Sequence, residues 1–298
     1  MPELPEVTTT VNGLNEVMPH KTILDVWSDY FIGSASKRLD TIKNKKYFEY
    51  FRKEIIGHTV KSAERKGKNV LIHLSNEKTI LIHMKMTGHL LYGNYYFEKN
   101  KWKSNDQYLS DPFSRFIHLI FTLSDGKFLA FSDMRKFAKV TLFETEKSIN
   151  DLIILGPDPM DKLSLKDFEN QIHKKITGKI KTVLMDQTIL GGIGNIYSDE
   201  ILWQAGIHPE RIVRNISKKE INLMWKAMLE ILNKSIQMGG DSMSDYRNIH
   251  GQKGNFQKAH KVYKRNKEKC LKKNCSGIIQ RIIIGGRSSH FCGVHQKI

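Results

Sequence analysis

The amino terminus has the clearest potential for covalent chemistry. Removal of Met1 would leave Pro2 as the first residue, with a free secondary amine. An α-amino group has a pKa of about 7.7 to 8, well below that of lysine, and the start of a helix lowers this pKa further. Attack of the amine on an aldehyde-like carbon gives a cationic iminium, which accepts electrons during elimination. These properties make Pro2 a candidate nucleophile.

Two carboxylates accompany this amine. Glu3 and Glu6 are three residues apart at the start of a predicted helix, on nearly one face. Glu3 is a candidate general acid, and Glu6 is a candidate for orienting water or the reacting group. The alternative is ordinary helix capping, because proline and acidic residues are common in a first helical turn. The terminus alone favours that alternative.

The carboxyl-terminal cysteines have the spacing of a metal site. Cys270 and Cys275 form one ligand pair, Cys292 and His295 form a second, and the β-rich segment 278–284 lies between them. Tetrahedral Zn²⁺ takes Cys3His sets, and so small a unit needs a metal to fold. We predict one structural Zn²⁺. The alternative is free buried thiols with a surface histidine.

Two glycine-rich turns are candidates for phosphate binding. Gly194 and Asn195 open a predicted helix, whose amino-terminal N–H groups can hold an anion, and Lys181 adds charge from the preceding helix. Arg287 follows two glycines at a predicted hairpin tip, where its guanidinium can clamp a phosphate. The alternative for the helix turn is a tight glycine turn needed only for packing.

The elements that position these residues change in type along the chain. A helix is predicted over 6–18, and period-two or short apolar runs predict a β-rich sandwich or barrel over 21–146. This region includes a hairpin at Asp125 and Gly126. Helical spacing follows in the segments 168–176, 180–185, 195–205 and 218–238, and a polar, glycine-containing connector covers 240–269. The pattern predicts an α+β multidomain protein.

Composition indicates the class of partner. The 298 residues contain 48 Lys plus Arg and 31 Asp plus Glu, a net charge of +17, and +11 of it lies after residue 250. Such an excess favours a polyanionic partner. No apolar run approaches a membrane span of about 18 residues, and the N-terminus does not resemble a signal peptide. We expect a cytoplasmic monomer, associated with the nucleoid if prokaryotic, whose cysteines do not form disulfides.

Seven motifs, in order, resemble the formamidopyrimidine/endonuclease VIII family of bifunctional DNA glycosylases, and specifically its formamidopyrimidine-DNA glycosylases. They are MPELPEV (1–7), RKGK (65–68), MKMTG (84–88), DMRKF (133–137), LGPDP (155–159), GIGNIY (192–197) and GGRSSHFC (285–292). The resemblance implies an N-terminal catalytic β-sandwich with its leading helix (1–150), a helix-two-turn-helix domain (151–240), a connector with a lesion loop (241–265) and a zinc-finger β-hairpin (266–298).

The resemblance also implies roles for individual residues. Pro2 would form a Schiff base at C1′ of a damaged nucleotide, Glu3 would donate a proton, and Lys68 would donate a proton during β-elimination. Arg287 would grip phosphate and assist δ-elimination. The positions matching contacts to the DNA backbone are His118, Arg135, Lys181 and Asn195, and those matching the wedge that fills the gap of a flipped-out nucleotide are Met86, Arg135 and Phe137. The alternatives without DNA contact are a place in the hydrophobic core for Met86 and Phe137 and a solvated helix face for Lys181.

The implied reaction is excision of 8-oxoguanine or formamidopyrimidines from duplex DNA, followed by β,δ-elimination. Leu4 favours this branch of the family. The alternatives are an oxidised-pyrimidine glycosylase of the endonuclease VIII type, a non-catalytic DNA-binding zinc protein, and an RNA- or ribosome-associated zinc protein. The sequence departs from the family at the first finger spacing, at His295, and at Met134 and Ala138 beside the wedge. Segments 30–52 and 92–115 are longer than the family needs and have no predicted role.

Overall fold

The chain divides into two units, and the first contains two separate stretches of sequence. The computed structural model describes residues 1–31, 40–145 and 154–298. The first unit consists of Met1–Asp151 and Met238–Asn255, and the second of Leu152–Gln237 and Phe256–Ile298. The predicted boundary at 150/151 lies outside the described residues. The chain passes from the first unit to the second within the segment predicted as a connector, after Asn255.

Antiparallel sheets form the body of the first unit. Their strands are β1 (Ile23–Ser28), β2 (Val60–Lys66), β3 (Asn69–Leu74), β4 (Lys78–His83), β5 (His89–Gly93), β6 (Tyr96–Glu98), β7 (Lys101–Lys103), β8 (Ile117–Leu123), β9 (Phe128–Ser132) and β10 (Lys139–Glu144). One sheet has the order β1-β8-β9-β5, a second has the order β10-β4-β3-β2, and β6 pairs with β7. Buried apolar side chains from both four-stranded sheets belong to one cluster, which confirms the predicted sandwich.

Two helices complete the described part of this unit. Helix α1 (Leu4–Val17) confirms the predicted leading helix and contributes Val7, Val11 and Leu14 to the core. Helix α2 (Lys45–Ile55) lies inside the stretch predicted to be β-rich, so that prediction was wrong for these residues. Phe48, Phe51 and Ile55 are buried at helical spacing, and this was the signal for the helix. Helix α2 accounts for part of segment 30–52, of which residues 32–39 lie outside the described residues.

The second unit contains the helices and the terminal hairpin. The helices are α3 (Leu165–His173), α4 (Ile180–Met185), α5 (Asn195–Ala205) and α6 (Lys218–Gln237), which confirms the predicted helical spacing. Strands β11 (Ile279–Ile284) and β12 (Arg287–Cys292) form an antiparallel hairpin. Glycines 285 and 286 turn between them with φ of 56° and 73°, which L-residues with side chains rarely adopt. None of the described helices is long and apolar enough to cross a membrane.

Candidate functional site

The amino-terminal end of α1 holds two buried carboxylates in one hydrogen-bonded arrangement. Glu3 is the N-cap and forms a reciprocal capping box with Glu6. The Glu3 N–H donates to Glu6 Oε2 at 2.7 Å. The side chains of Glu3 and Glu6 are only 3% and 1% exposed, respectively. Glu3 and Glu6 therefore do cap the helix, and this capping interaction holds both acids beside Pro2. The Pro2 nitrogen becomes an amine only when Met1 is removed.

A second stretch of the first unit secures Glu6 from the other side. The Asp241 N–H donates to Glu6 Oε1 at 2.7 Å, and the Tyr246 hydroxyl donates to the Glu6 carbonyl at 3.0 Å. Gly240 has φ of +82°, and a Cβ there would lie 3.0 Å from Glu6 Oε1. The lesion loop predicted from the sequence covers Asp241 and Tyr246, but their contacts with Glu6 were not predicted. The paired glycines after a long helix were the available signal.

Lys68 lies in the tight turn between β2 and β3, after Gly67, and is largely buried.

The imidazole of His83 lies on β4 in a positively charged environment. Burial, together with the charges of Lys85 and Lys68, lowers the pKa of His83 to about 3. His83 Nδ1 accepts a hydrogen bond from the Lys85 N–H at 3.0 Å, as a neutral imidazole can. A pKa this low leaves the His83 imidazole neutral near pH 7.

Two of the predicted wedge residues, Arg135 and Phe137, lie on the loop from β9 to β10, and the third, Met86, lies between β4 and β5. Arg135 is exposed, and its guanidinium carbon lies 4.4 Å from the centre of the Phe137 ring. Phe137 is 47% exposed, which rules out the core alternative for this residue, whereas Met86 is half-buried. The buried carboxylate of Asp133 accepts hydrogen bonds from the loop and its surroundings, namely from Ala138 N at 2.9 Å, Tyr30 Oη at 2.8 Å and Thr87 Oγ1 at 2.5 Å.

His118 lies on β8 and is oriented by an acid. Its Nδ1 is 2.7 Å from Asp29 Oδ1, and its side chain is mostly buried. Burial would raise the pKa of Asp29, but the hydrogen bond and charge of His118, aided by Lys136, lower it overall. An ionised Asp29 therefore holds the imidazole in one orientation.

In the second unit, a cavity of about 610 Å³ brings two predicted phosphate contacts together, Asn195 at the start of α5 and Arg287 at the start of β12. The other basic and polar residues that line the cavity were not predicted as site residues, and they are Tyr263, Lys264, Asn266, Arg281, Ser288 and His290. The Glu200 carboxylate accepts hydrogen bonds from three successive backbone N–H groups, those of residues 261, 262 and 263, at 2.9, 3.0 and 2.8 Å. Glu200 thereby fixes the chain that carries Tyr263 into the cavity.

Lys181 is not on the protein surface, contrary to the solvated-face alternative. Its side chain is fully buried, and Nζ donates to Asp199 Oδ1 at 2.5 Å and to the Asn195 carbonyl at 3.0 Å. Asp199 also accepts from Ser289 Oγ at 2.8 Å and from the backbone N–H of His290 at 2.9 Å. A fully buried ammonium cannot contact a DNA phosphate in this arrangement. Lys181 instead joins α4, the start of α5 and β12.

The four predicted metal ligands converge. The Sγ atoms of Cys270, Cys275 and Cys292 and one imidazole nitrogen of His295 all lie within 4.8 Å of one another. His295 Nε2 is 3.2 Å from the Trp203 carbonyl, to which it can donate, and this leaves Nδ1 facing the thiols at 3.5 and 3.7 Å. Such an outer hydrogen bond is what orients a metal-bound histidine. The donor set and its geometry suit a tetrahedral metal ion.

Comparison with known proteins identifies the family. Residues 1–140 match the model of the formamidopyrimidine-DNA glycosylase N-terminal domain, and residues 155–247 match that of the formamidopyrimidine-DNA glycosylase H2TH domain. The chain belongs to the formamidopyrimidine-DNA glycosylase family. It is 34% identical over 302 residues to the formamidopyrimidine-DNA glycosylase of Bacillus licheniformis, covering 100% of both chains. It is 35% identical over 300 residues to that of Halalkalibacterium halodurans, again covering 100% of both.

Solved structures agree with this membership. The Lactococcus lactis formamidopyrimidine-DNA glycosylase in complex with DNA containing an abasic site has a TM-score of 0.82 and 29% identity, covering 99% of this chain and 100% of that chain. MutM in complex with DNA containing carbocyclic 8-oxo-G has the same TM-score and identity, covering 100% of both chains. The family predicted from seven motifs is confirmed. The matched family domains end at residue 247, so the metal ligands are identified by their own geometry.

Proposed function

We propose that this formamidopyrimidine-DNA glycosylase family member is a base-excision repair enzyme that removes 8-oxoguanine and formamidopyrimidines from duplex DNA and then cleaves the strand by β,δ-elimination. The observation that carries the proposal is the buried Glu3–Glu6 pair next to Pro2. It occurs in a chain that matches named formamidopyrimidine-DNA glycosylases over their full length.

The proposed chemistry begins at the amine of Pro2 after Met1 is removed. The nitrogen lone pair forms a bond to C1′, the bond from C1′ to the damaged base breaks, and the base leaves with that electron pair and with the proton that the amine loses. Glu3 supplies a proton as the sugar ring opens, which leaves a cationic iminium. Loss of a C2′ proton then expels the 3′ phosphate, and loss of a C4′ proton in a second elimination expels the 5′ phosphate. We assign proton donation during β-elimination to Lys68 and phosphate contact during δ-elimination to Arg287.

We propose that His118, Arg135 and Asn195 contact the DNA backbone and that Met86, Arg135 and Phe137 fill the gap left by the flipped-out nucleotide. Exposure of Arg135 and Phe137 supports this role, since both side chains are accessible to a base stack. For Lys181 we replace direct contact with a positioning role: its ammonium bonds the Asn195 carbonyl and thereby holds the residue that lines the basic cavity.

We propose that the metal is one structural Zn²⁺ held by Cys270, Cys275, Cys292 and His295. The ion would stabilise the short terminal segment and thereby hold Arg287 at the tip of the β11–β12 hairpin. We further propose a cytoplasmic monomer and retain the predicted four-part division at 1–150, 151–240, 241–265 and 266–298.

A lesion panel tests the proposed substrate class. The mature protein is incubated with duplexes carrying 8-oxoguanine, a formamidopyrimidine, an oxidised pyrimidine or an abasic site, each opposite all four bases. We expect fastest excision of the oxidised purines and products with phosphate at both ends of a one-nucleotide gap. Faster excision of the oxidised pyrimidine would favour an endonuclease VIII-type enzyme. Binding without cleavage of any duplex would indicate a non-catalytic protein, and equal binding of undamaged RNA would indicate an RNA-associated one.

A further inference from the structure

A nearly fully buried arginine joins two parts of the first unit that are far apart in sequence. Arg247 is only 1% exposed, and its Nη2 lies 3.1 and 3.2 Å from the two carboxylate oxygens of Asp111. Its Nη1 donates to the carbonyls of Ser244 and Tyr246, at 3.1 and 2.8 Å. The guanidinium carbon also lies 5.1 Å from the centre of the Phe113 ring. Arg247 is thus held by Asp111 and Phe113 while it bonds the backbone of its own segment.

Asp111 and Phe113 lie in segment 92–115, which had no predicted role. Asp111 is itself fixed, because Oδ1 accepts from the Phe113 N–H at 2.9 Å. The Phe113 carbonyl accepts from Ser132 Oγ on β9 at 2.8 Å, which ties this stretch to the sheet. The carboxylate that faces Arg247 is therefore held by short contacts to a rigid element.

Two backbone contacts strengthen the same junction. Gly251 has φ of +76°, and a Cβ there would lie 2.5 Å from the Tyr108 carbonyl oxygen, so the two chains approach as closely as glycine permits. The backbone N–H of Tyr92 on β5 donates a hydrogen bond to the carbonyl of the buried residue Ile249, at 2.7 Å. Residues 247–251 are therefore fixed on segment 92–115 and β5.

The opposite end of the 238–255 stretch reaches the reactive end of α1 through the bond from Asp241 to Glu6. Between the two anchored ends, Met243 and Ser244 are exposed, and Met243 is 38% exposed. The Met243 N–H donates to Asp241 Oδ1 at 3.0 Å. These two exposed residues therefore lie within a few residues of the group that fixes Glu6, where a nucleotide attacked by Pro2 would be bound.

We propose that Asp111 and Arg247 are positioning residues for base excision. Their ion pair holds the exposed 243–244 stretch in the conformation that contacts the damaged base, and this assigns a role to segment 92–115. The inference rests on the proposed function. An abasic nucleotide has no base to hold, and the Glu3–Glu6 capping box lies within α1 itself, so strand cleavage at an abasic site depends much less on this ion pair.

Single-turnover kinetics of Asp111→Asn test the proposal with two duplexes. We expect the rate of 8-oxoguanine excision to fall by about ten-fold or more, while cleavage of a pre-formed abasic site stays within about two-fold of wild type. Arg247→Lys keeps the charge but loses the planar fork and should show the same selective loss. The double variant should be no slower than the slower single variant, because both changes remove one interaction. Lys103→Gln, which breaks the exposed pair of Lys103 with Glu98 in the same segment, is the matched control and should change neither rate.

Hydrogen exchange separates this role from general destabilisation. The amides of residues 243–247 should exchange faster in Asp111→Asn, while those of α1 stay protected. Equal loss of both reactions in Asp111→Asn and Arg247→Lys, or no loss in either, would overturn the inference. If the wild-type protein itself cleaves neither duplex, the proposed function has failed instead. If Asp111→Asn does not fold, Arg247→Lys alone decides the outcome.

Discussion

At the reactive end of α1, two carboxylates one helical turn apart have different surroundings. Glu6 accepts hydrogen bonds from two backbone N–H groups, those of Glu3 and Asp241, and is thereby held as a fixed acceptor. Glu3 is the N-cap, adjacent to the proposed nucleophile. Their types and spacing were visible in the sequence. The Asp241 contact was not, because it joins residues 235 positions apart.

The contrast between two lysines of the second unit gives a residue-scale prediction. Lys181 pairs with Asp199 in full burial, whereas Lys179 pairs with Glu210 at the surface at 2.6 Å. Asp199→Asn leaves a buried ammonium without its counter-charge, so the free energy of unfolding should fall by about 3 to 5 kcal/mol. Glu210→Gln is the matched control and should cost at most about 1 kcal/mol. Denaturant unfolding measures both, and equal costs would refute the role assigned to Asp199.

At the scale of elements, the predicted helices and the predicted β-rich region agree with the structure because their apolar periodicity is strong. Helices α4 and α5 begin and end at the predicted residues. Helix α2 was missed because its apolar positions, at Phe48, Phe51 and Ile55, lie within a stretch dominated by strand-like runs. The burial of Lys181 was also unpredictable, since its partner Asp199 lies on another helix and no local pattern marks a buried ion pair.

The terminal hairpin gives the element-scale prediction. His295→Cys keeps four ligands of a kind that Zn²⁺ accepts, so the purified variant should retain one zinc per chain. His295→Ala should lose zinc affinity and lower the melting temperature, because the short finger depends on the metal to fold. Elemental analysis and thermal unfolding, before and after chelation, report both effects. Full zinc retention by His295→Ala would remove this histidine from the ligand set.

At the scale of the whole molecule, the charge of +17 is the property most directly related to a DNA partner. Most of the excess of Lys and Arg over Asp and Glu lies after residue 250, which is visible in the sequence. Which of these cationic side chains line one cavity is not visible there. Asn195 and Lys264 come from stretches separate from the β11–β12 hairpin that carries Arg281 and Arg287, and all four residues line one cavity in the folded second unit. The net charge follows from composition, whereas the grouping of basic side chains in one cavity depends on tertiary structure.

Salt dependence of DNA binding gives the prediction at this scale. Each phosphate contact contributes about 0.9 to the slope of log affinity against log salt concentration. Arg287→Ala should therefore reduce the slope by about 0.9, and Arg287→Lys should preserve the slope while weakening affinity, since it keeps the charge but loses the bidentate fork. Fluorescence anisotropy with an abasic-site analogue duplex at several salt concentrations measures both. An unchanged slope in Arg287→Ala would show that Arg287 makes no phosphate contact.

The central claim is that the Pro2 amine attacks the damaged nucleotide, and borohydride trapping tests it most directly. The mature protein is incubated with an 8-oxoguanine duplex in the presence of borohydride, which reduces the Schiff base to a stable covalent adduct. Mass spectrometry then locates the modified residue. We predict an adduct at Pro2 in protein lacking Met1, strongly reduced trapping in Pro2→Gly, and no trapping when an extra residue precedes Pro2. An adduct that persists with the blocked terminus, or that maps to Lys68, would contradict the account.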